Sequence, residues 1–241
     1  MADIPRAQDQ LFDRRTSARE KYSALIVGRP GWGDLLAYEL VIVFSQNAPG
    51  AIGLALRKVL YPLLLGSCGR NVVFGQNVVL RHPHKIRIGD DVVIDDNCLL
   101  DAKGESNRGI TIGNRVFVGR NSILSCKNGN IDLEDGANIG FNCEIFSASA
   151  VRIGRAALIA AYCYVIGGEH DFSDPSQPVL AQSRRSSGVV IGEGAWLGAG
   201  AVVRDAVPDA AVAVGVPARI VGQRDAAPGN RAPMVSGLES R

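Results

Sequence analysis

Apolar residues recur through this chain in trios spaced six residues apart, and the trio itself recurs about every twenty residues. The first column reads Cys68, Ile88, Ile112, Leu133, Ile153 and Ile191. The second reads Phe74, Ile94, Val118, Ile139, Ile159 and Leu197, and the third Leu80, Leu100, Leu124, Ile145, Val165 and Val203. A period of six fits neither the helical repeat of about 3.6 residues nor the simple alternation of a strand, so it declares a repeat architecture. A chain that buries one large side chain every six residues, three times per turn, coils into a parallel β-helix. Six coils at a strand spacing of about 4.8 Å predict a prism about 29 Å tall.

Each second hexad places a small residue fifth: Val78, Cys98, Ser122, Cys143, Cys163 and Ala201. Such a side chain fits the corner of a tight triangular coil. Asn77, Asn97, Asn121 and Asn142 share one turn column, where asparagine tolerates a positive φ. The step from the third column to the next coil is 8, 12, 9 and 8 residues, and then 26 between Val165 and Ile191. About 18 residues therefore leave the prism between Gly167 and Gly188, carrying His170 with them. Long loops on rigid scaffolds are where function concentrates.

The flanks read differently. Residues 1–33 form a polar arm with Arg14, Arg15, Arg19, Glu20 and Lys21, solvated and partly helical. Residues 34–66 predict a helical hairpin, with Asp34 as N-cap of Leu35–Phe44 and a second helix from Ala51 to Tyr61 before Pro62. The first helix is apolar nearly all round. That fits packing as a cap on the β-helix end, or shallow attachment to a membrane surface helped by Arg57 and Lys58. Residues 67–222 hold the coils, with the loop at 167–188, and residues 223–241 read as a disordered tail rich in Pro, Gly and Ala.

Over 241 residues the formal charge is only +2, which offers no broad cationic face to a nucleic acid. Five scattered cysteines without a C-x-x-C pair fit a reducing compartment. With no secretory signal pattern at the amino end, the cytoplasm is expected.

The coil pattern, the loop Gly167-Gly168-Glu169-His170-Asp171-Phe172-Ser173-Asp174-Pro175 and the ending Gly215-Val216-Pro217-Ala218-Arg219 together resemble the hexapeptide-repeat acyltransferases. The nearest branch is the sugar O-acetyltransferases, which includes maltose and galactoside acetyltransferases and acyltransferases of polysaccharide gene clusters. The likeness covers residues 34–222. It implies a left-handed coil, a homotrimer with sites between neighbouring prisms, acetyl-CoA as co-substrate and a hydroxyl or amine acceptor, here a small-molecule or lipid-linked sugar.

The resemblance also implies roles. His170 matches the loop histidine that activates the acceptor hydroxyl, and an imidazole can accept a proton near neutral pH. The plainer reading is an exposed loop histidine. Asn142 matches an acceptor-binding asparagine but is also a rung of the turn column. Ser147 and Ala148 stand where relatives carry an acid; Glu144 is the substitute from the same coil. Asp171, Glu169 or a backbone carbonyl could orient the His170 ring. Trp196-Leu197-Gly198-Ala199 matches the coil whose amide, at Ala199, faces the thioester oxygen. Trp196 then lines the pantetheine channel or simply packs, and Arg204 and Arg219 meet coenzyme A phosphate or are ordinary surface charges. One departure stands out: the coil that relatives place before the ending reads here as fused into residues 191–203, which would shorten the donor groove.

Two rivals remain. One is a non-catalytic β-helix scaffold at an assembly or membrane surface. The other is a metalloenzyme built on His82 and His84, but their H-x-H spacing, with the third histidine 86 residues on, is better read as solvated turn histidines, and no metal is assigned.

Overall fold

The computed structural model describes residues 12–224. The first eleven residues of the arm, and all but the start of the expected tail, lie outside the described residues. The chain forms a left-handed parallel β-helix preceded by α-helices. Its three faces are parallel sheets running from Ser67–Cys68 to Val189–Ile191, from Val73–Phe74 to Trp196–Leu197, and from Val79–Arg81 to Val202–Val203.

All eighteen column residues stand in the predicted register. Cys68 pairs with Ile88, Ile88 with Ile112, Ile112 with Leu133, Leu133 with Ile153 and Ile153 with Ile191. Phe74 through Leu197 align likewise on the second face, and Leu80 through Val203 on the third. Every one of them except Cys68 is buried, as are the small corner residues from Val78 to Ala201. Burying one methylene is worth about 0.8 kcal/mol, so the stacked columns supply the main apolar stabilisation.

Turn chemistry sets the corners between the second and third faces. Asn77, Asn97, Asn121 and Asn142 all have φ between 55° and 60°. Asn77 donates its side-chain amide to Asn97 Oδ1 at 3.0 Å, and Asn121 donates to Asn142 Oδ1 at 3.1 Å.

The last coils differ from the expectation of a fused end. Val207 bridges to Ile191, and Ala211–Val214 stacks in parallel on Trp196–Leu197. Gly215 O accepts from Val202 N, and Ala218 N donates to Val202 O. A seventh, partial coil is therefore present. The six-residue period hides it because Val207 follows Val203 at a step of only four, Pro208 interrupts, and Ala213 replaces a large column residue. Strand Arg219–Gln223 then turns back antiparallel onto Ala211–Val214, covering that edge of the sheet.

Helices close the other end. Helix α1 spans Ala18–Tyr22, with a π-turn over Ser23–Val27; α2 spans Trp32–Ser45 and α3 Gly50–Leu60. The N-cap of α2 is Gly31 and not Asp34, which sits in the first turn and pairs with Arg29 at 3.1 Å. Tyr38 and Tyr61 donate to Leu80 O and Val78 O on the first coil. Arg57, 1% exposed, points inward and does not face a membrane. Its guanidinium donates to Phe74 O at 3.0 Å, Ser45 O at 2.9 Å and Ala48 O at 2.8 Å. A cation from α3 thus satisfies the carbonyls at the C-terminal end of α2, where the helix dipole favours positive charge.

From Ser23 onward the arm is not a solvated extension. Ser23 and Val27 are buried, and Ile26 O accepts the His82 amide at 2.7 Å. His82, 6% exposed, also contacts Ala24 O through Nε2 at 2.9 Å, and stacks on His84 with 6.2 Å between ring centroids. Both are covered turn histidines, contrary to the solvated reading. A side chain at Gly28 (φ +80°) would collide with both rings, so glycine lets the arm close over them. Desolvation lowers each imidazole to a pKa of about 4, with Arg29 adding to the effect at His84.

Replacing Arg57 by Met should lower the unfolding free energy by about 3 kcal/mol in urea titrations, because buried carbonyls lose their donors. Lys58→Met, at an exposed site, should stay within about 0.5 kcal/mol. The histidines give a pH signature. They remain neutral when folded but protonate in the unfolded chain below about 6.5. Stability should therefore be full above that pH and fall as pH drops toward 4. The loss is up to about 3 kcal/mol per histidine, and His82→Gln should flatten the profile.

Candidate functional site

The 26-residue step emerges from the end of the third face as a folded arm. Strand Glu169–His170 pairs antiparallel with Arg184–Arg185, which places His170 opposite Arg184. Asp171 N donates to Ser183 O at 2.8 Å, and Ser186 Oγ donates to Gly167 O. Farther out, the Asp174 carboxylate accepts from Ser176 N at 2.9 Å, Ser176 Oγ at 2.6 Å and Gln177 Nε2 at 2.8 Å. The arm is cross-braced, and the half-buried His170 is held near its base.

Glu169 reaches Arg204 Nη2 at 2.6 Å. Adjacent residues of a strand point to opposite sides, so this pair leaves Glu169 turned away from the His170 ring. Asp171 Oδ1 accepts Ser173 N at 3.0 Å and thereby shapes the turn behind the histidine. Arg204 stands at this same corner, one residue beyond Val203 on the third face. Beside it opens a cleft of about 400 Å³ lined by Ile166, Gly168, Glu169, Ser186, Arg204 and Asp205.

The remaining candidates gather elsewhere. Asn142 sits at the corner between the second and third faces, its Oδ1 taken by the asparagine ladder. On the next coil Tyr162 occupies the ladder position with φ 63° and is 65% exposed, so the ladder stops at Asn142. Two coils above Phe141 in the same corner column is Ala199. Its neighbours' amides are engaged, Gly198 N with Ala213 O and Gly200 N with Ala161 O. The intervening Ala199 is exposed at the bend. Trp196, 38% exposed, points outward on the second face between Leu158 and Val212. Arg219 begins the returning strand opposite Val214. Glu144 opens the third face two residues after Asn142, beside Tyr164. Ser147, at the position where the resemblance leads one to expect an acid, is buried and donates to Asn130 O at 2.7 Å.

The candidates thus form two half-sites on one prism. His170, Asp171 and Arg204 lie at the far end of the third face. Asn142, Glu144, Trp196, Ala199 and Arg219 lie at or before its near end. The four residues Tyr164–Gly167 alone separate them by roughly 13 Å of extended chain. An imidazole thus stands at one corner of the third face and the Ala199 bend at the other.

Burial pushes the Cys98 thiol up to about 11 and the Cys126 thiol up to about 12, so neither of these two offers a nucleophile. Among the described residues no group of three or more His, Cys, Asp and Glu is placed to hold a metal ion. Sequence reasoning passed over the excursion Ala102–Gly109, which leaves the same corner as the histidine arm three coils earlier. The twelve-residue step marked it as an insertion, but only the covering N-terminal arm adds Arg19 and Arg29 to Lys85 and Lys103 around it.

No family model matches the chain. Among curated proteins it is 29% identical over 133 residues to Rv3034c of Mycobacterium tuberculosis, assigned as an acetyltransferase, covering 48% of this chain and 44% of that one. It is 30% identical over 118 residues to WbbJ of Escherichia coli K12, assigned as an O-acetyl transferase of lipopolysaccharide biosynthesis, covering 39% and 60%. The chain therefore spans about half the length of these relatives. Among solved structures, the N-acyltransferase AntD of Bacillus cereus superposes with a TM-score of 0.52 at 23% identity, over 76% of this chain and 93% of that one, a likeness of fold. Coil register and turn chemistry make the chain a hexapeptide-repeat β-helix, and these matches show that it is similar in sequence to acetyltransferases.

Proposed function

We propose that the protein is an O-acetyltransferase that moves an acetyl group from acetyl-CoA to a hydroxyl of a sugar in polysaccharide synthesis, in the cytoplasm. The observation that carries this is the braced arm holding His170 at a prism corner, in a chain whose curated relatives are assigned as acetyltransferases. In this reading the His170 imidazole takes the acceptor proton as the hydroxyl oxygen attacks the thioester carbonyl. The Ala199 amide donates to the developing oxyanion. When the C–S bond breaks, the imidazolium returns its proton to the leaving thiolate. Asn142 and Glu144 contact the acceptor, Asp171 shapes the turn behind the base, and Trp196 and Arg219 line the donor groove. Arg204, paired with Glu169, steadies the arm beside the site.

In this reading the protein is a homotrimer, in which His170 of one prism meets the Asn142–Ala199 corner of another; the separation of the two groups of candidates supports it. The outer second face supports it: Val73, Leu158, Trp196, Phe141 and Tyr162 are exposed there. A strip of this kind suits burial against a second copy.

The hairpin supports contact with a lipid surface. Trp32, Leu36, Leu40, Val43, Phe44, Ile52, Val59 and Leu63 are exposed, while the charged residues of α2 and α3 are the exposed Lys58, the half-buried Asp34 and Glu39, and the buried Arg57. Arg29 and Lys58 at the rim, with Arg19 stacked 4.5 Å from the Trp32 ring, favour an anionic bilayer. No helix among the described residues is long and apolar enough to cross a membrane, so the hairpin would lie on the surface. The scaffold reading shares this contact but requires no affinity for coenzyme A, which calorimetry separates.

Thiol release from acetyl-CoA with sugar acceptors should fall about 10²–10⁴-fold in His170→Ala, with coenzyme A binding retained. Undiminished turnover would remove the proposed base. Mixing His170→Ala with Asn142→Ala subunits by refolding should restore part of the activity, since some interfaces regain an intact pair. Flotation on phosphatidylglycerol vesicles should carry the protein upward, and Leu36→Glu/Val43→Glu should abolish it. A change of oligomeric size in that variant without any flotation of the parent would assign the face to a protein contact.

A further inference from the structure

A cavity of about 720 Å³ lies at the N-terminal end of the prism, on the corner that also carries the histidine arm. One wall is the N-terminal arm, with Arg19 and Arg29. The other is the prism, with His82, Lys85, Lys103 and the Gly104–Glu105 turn. Four permanent cations face two carboxylates, Glu20 and Glu105. Glu20 is already engaged, accepting Ser17 N at 2.9 Å and Ser17 Oγ at 2.7 Å in a capping box. Arg29 is shared with Asp34, and Lys103 feels Asp101 beneath it. His82 adds no charge near neutral pH, because burial keeps it neutral.

The prism wall is rigidly built. Lys85 Nζ donates to Gly104 O at 2.6 Å and to Asn107 Oδ1 at 3.0 Å, and Asn107 Nδ2 in turn donates to Gly129 O at 2.8 Å. An ammonium has three donors, so Lys85 keeps one beyond these two. Partial burial depresses the ordinary pKa of both Lys85 and Lys103, and a nearby anion would offset that cost.

Position relative to His170 gives the cavity a meaning. Registers place Asp101 beside Ser125, and Cys126 beside Ser147 and then Gly167. Lys103, Lys127, Ala148 and Gly168 therefore succeed one another up a single corner. Lys103 lies three rungs below the base of the histidine arm, about 14 Å away at the strand spacing. A free sugar at His170 would not reach the cavity. An extended sugar diphosphate would. The donor candidates Trp196 and Arg219 lie on the last coils, at the opposite end and another corner, so the cavity is not required for the donor.

We infer that this cavity is an anion subsite for the acceptor, binding the diphosphate of a sugar diphosphate whose sugar hydroxyl lies at His170. The inference rests on the sugar-hydroxyl reading above and narrows it to a phosphorylated acceptor. Nucleotide-linked and lipid-linked sugars share the recognised chemistry.

Calorimetry on the full chain with inorganic pyrophosphate, uridine diphosphate and farnesyl diphosphate tests it, with coenzyme A titrated separately. Pyrophosphate should bind, and Lys103→Glu and Arg29→Ala should each weaken it at least tenfold while coenzyme A binding and the melting temperature hold. Tighter binding of uridine diphosphate or of farnesyl diphosphate identifies the nucleotide or the lipid source. His170→Ala should bind pyrophosphate normally, so loss of the acetyltransfer reading would leave this result standing. Absence of pyrophosphate binding at millimolar concentration overturns the inference, as does binding indifferent to both substitutions. Weakened coenzyme A binding in Lys103→Glu overturns the acceptor assignment.

Discussion

Every coil of this protein is held by the next one in register, and that single constraint governs what the rest of the chain can do. A parallel rung has no partner of its own; its amides and its large inward side chain are satisfied only by neighbours above and below. Ile112 is stable because Ile88 and Leu133 sit beside it. The ends of such a stack are therefore its weak points, and both are closed by dedicated devices. At the start, Arg57 and two tyrosine hydroxyls donate to buried carbonyls of the first coil and of α2. At the finish, the chain folds back antiparallel over its own edge.

Because register is carried by the faces, the corners are free to differ. The corner between the second and third faces is tight and ladder-bonded, which makes Asn142 at once a turn residue and a candidate ligand. The next corner carries the insertions, and both the histidine arm and the Ala102–Gly109 excursion leave from it. The candidate residues on one prism thus stand at two different edges.

Much of this was legible in the sequence. A period of six cannot be produced by a helix or a plain strand, so the columns, the small corner residues and the excursion at Gly167–Gly188 could be placed to the residue. The final coil was not, because it swaps a large column residue for Ala213 and shortens its connection, erasing the period while keeping the hydrogen bonds. Nor was the fate of the basic and aromatic residues near the amino end. Arg57 reads as a surface cation beside Lys58, and His82 as a solvated turn residue. Only the packing of α2, α3 and the arm over the first coil turns them inward. Local pattern reveals which side chain faces the axis; it does not reveal what a distant segment will cover.

A stack of rungs also sets distances in whole steps. Two features on one corner can be moved apart or together only by adding or deleting a coil, which changes their separation by about 4.8 Å. The gap between the cationic cavity and the histidine arm is accordingly a length fixed by counting. A homologous prism with one coil more between them would match a molecule longer by one such increment, with no change to either recognition element.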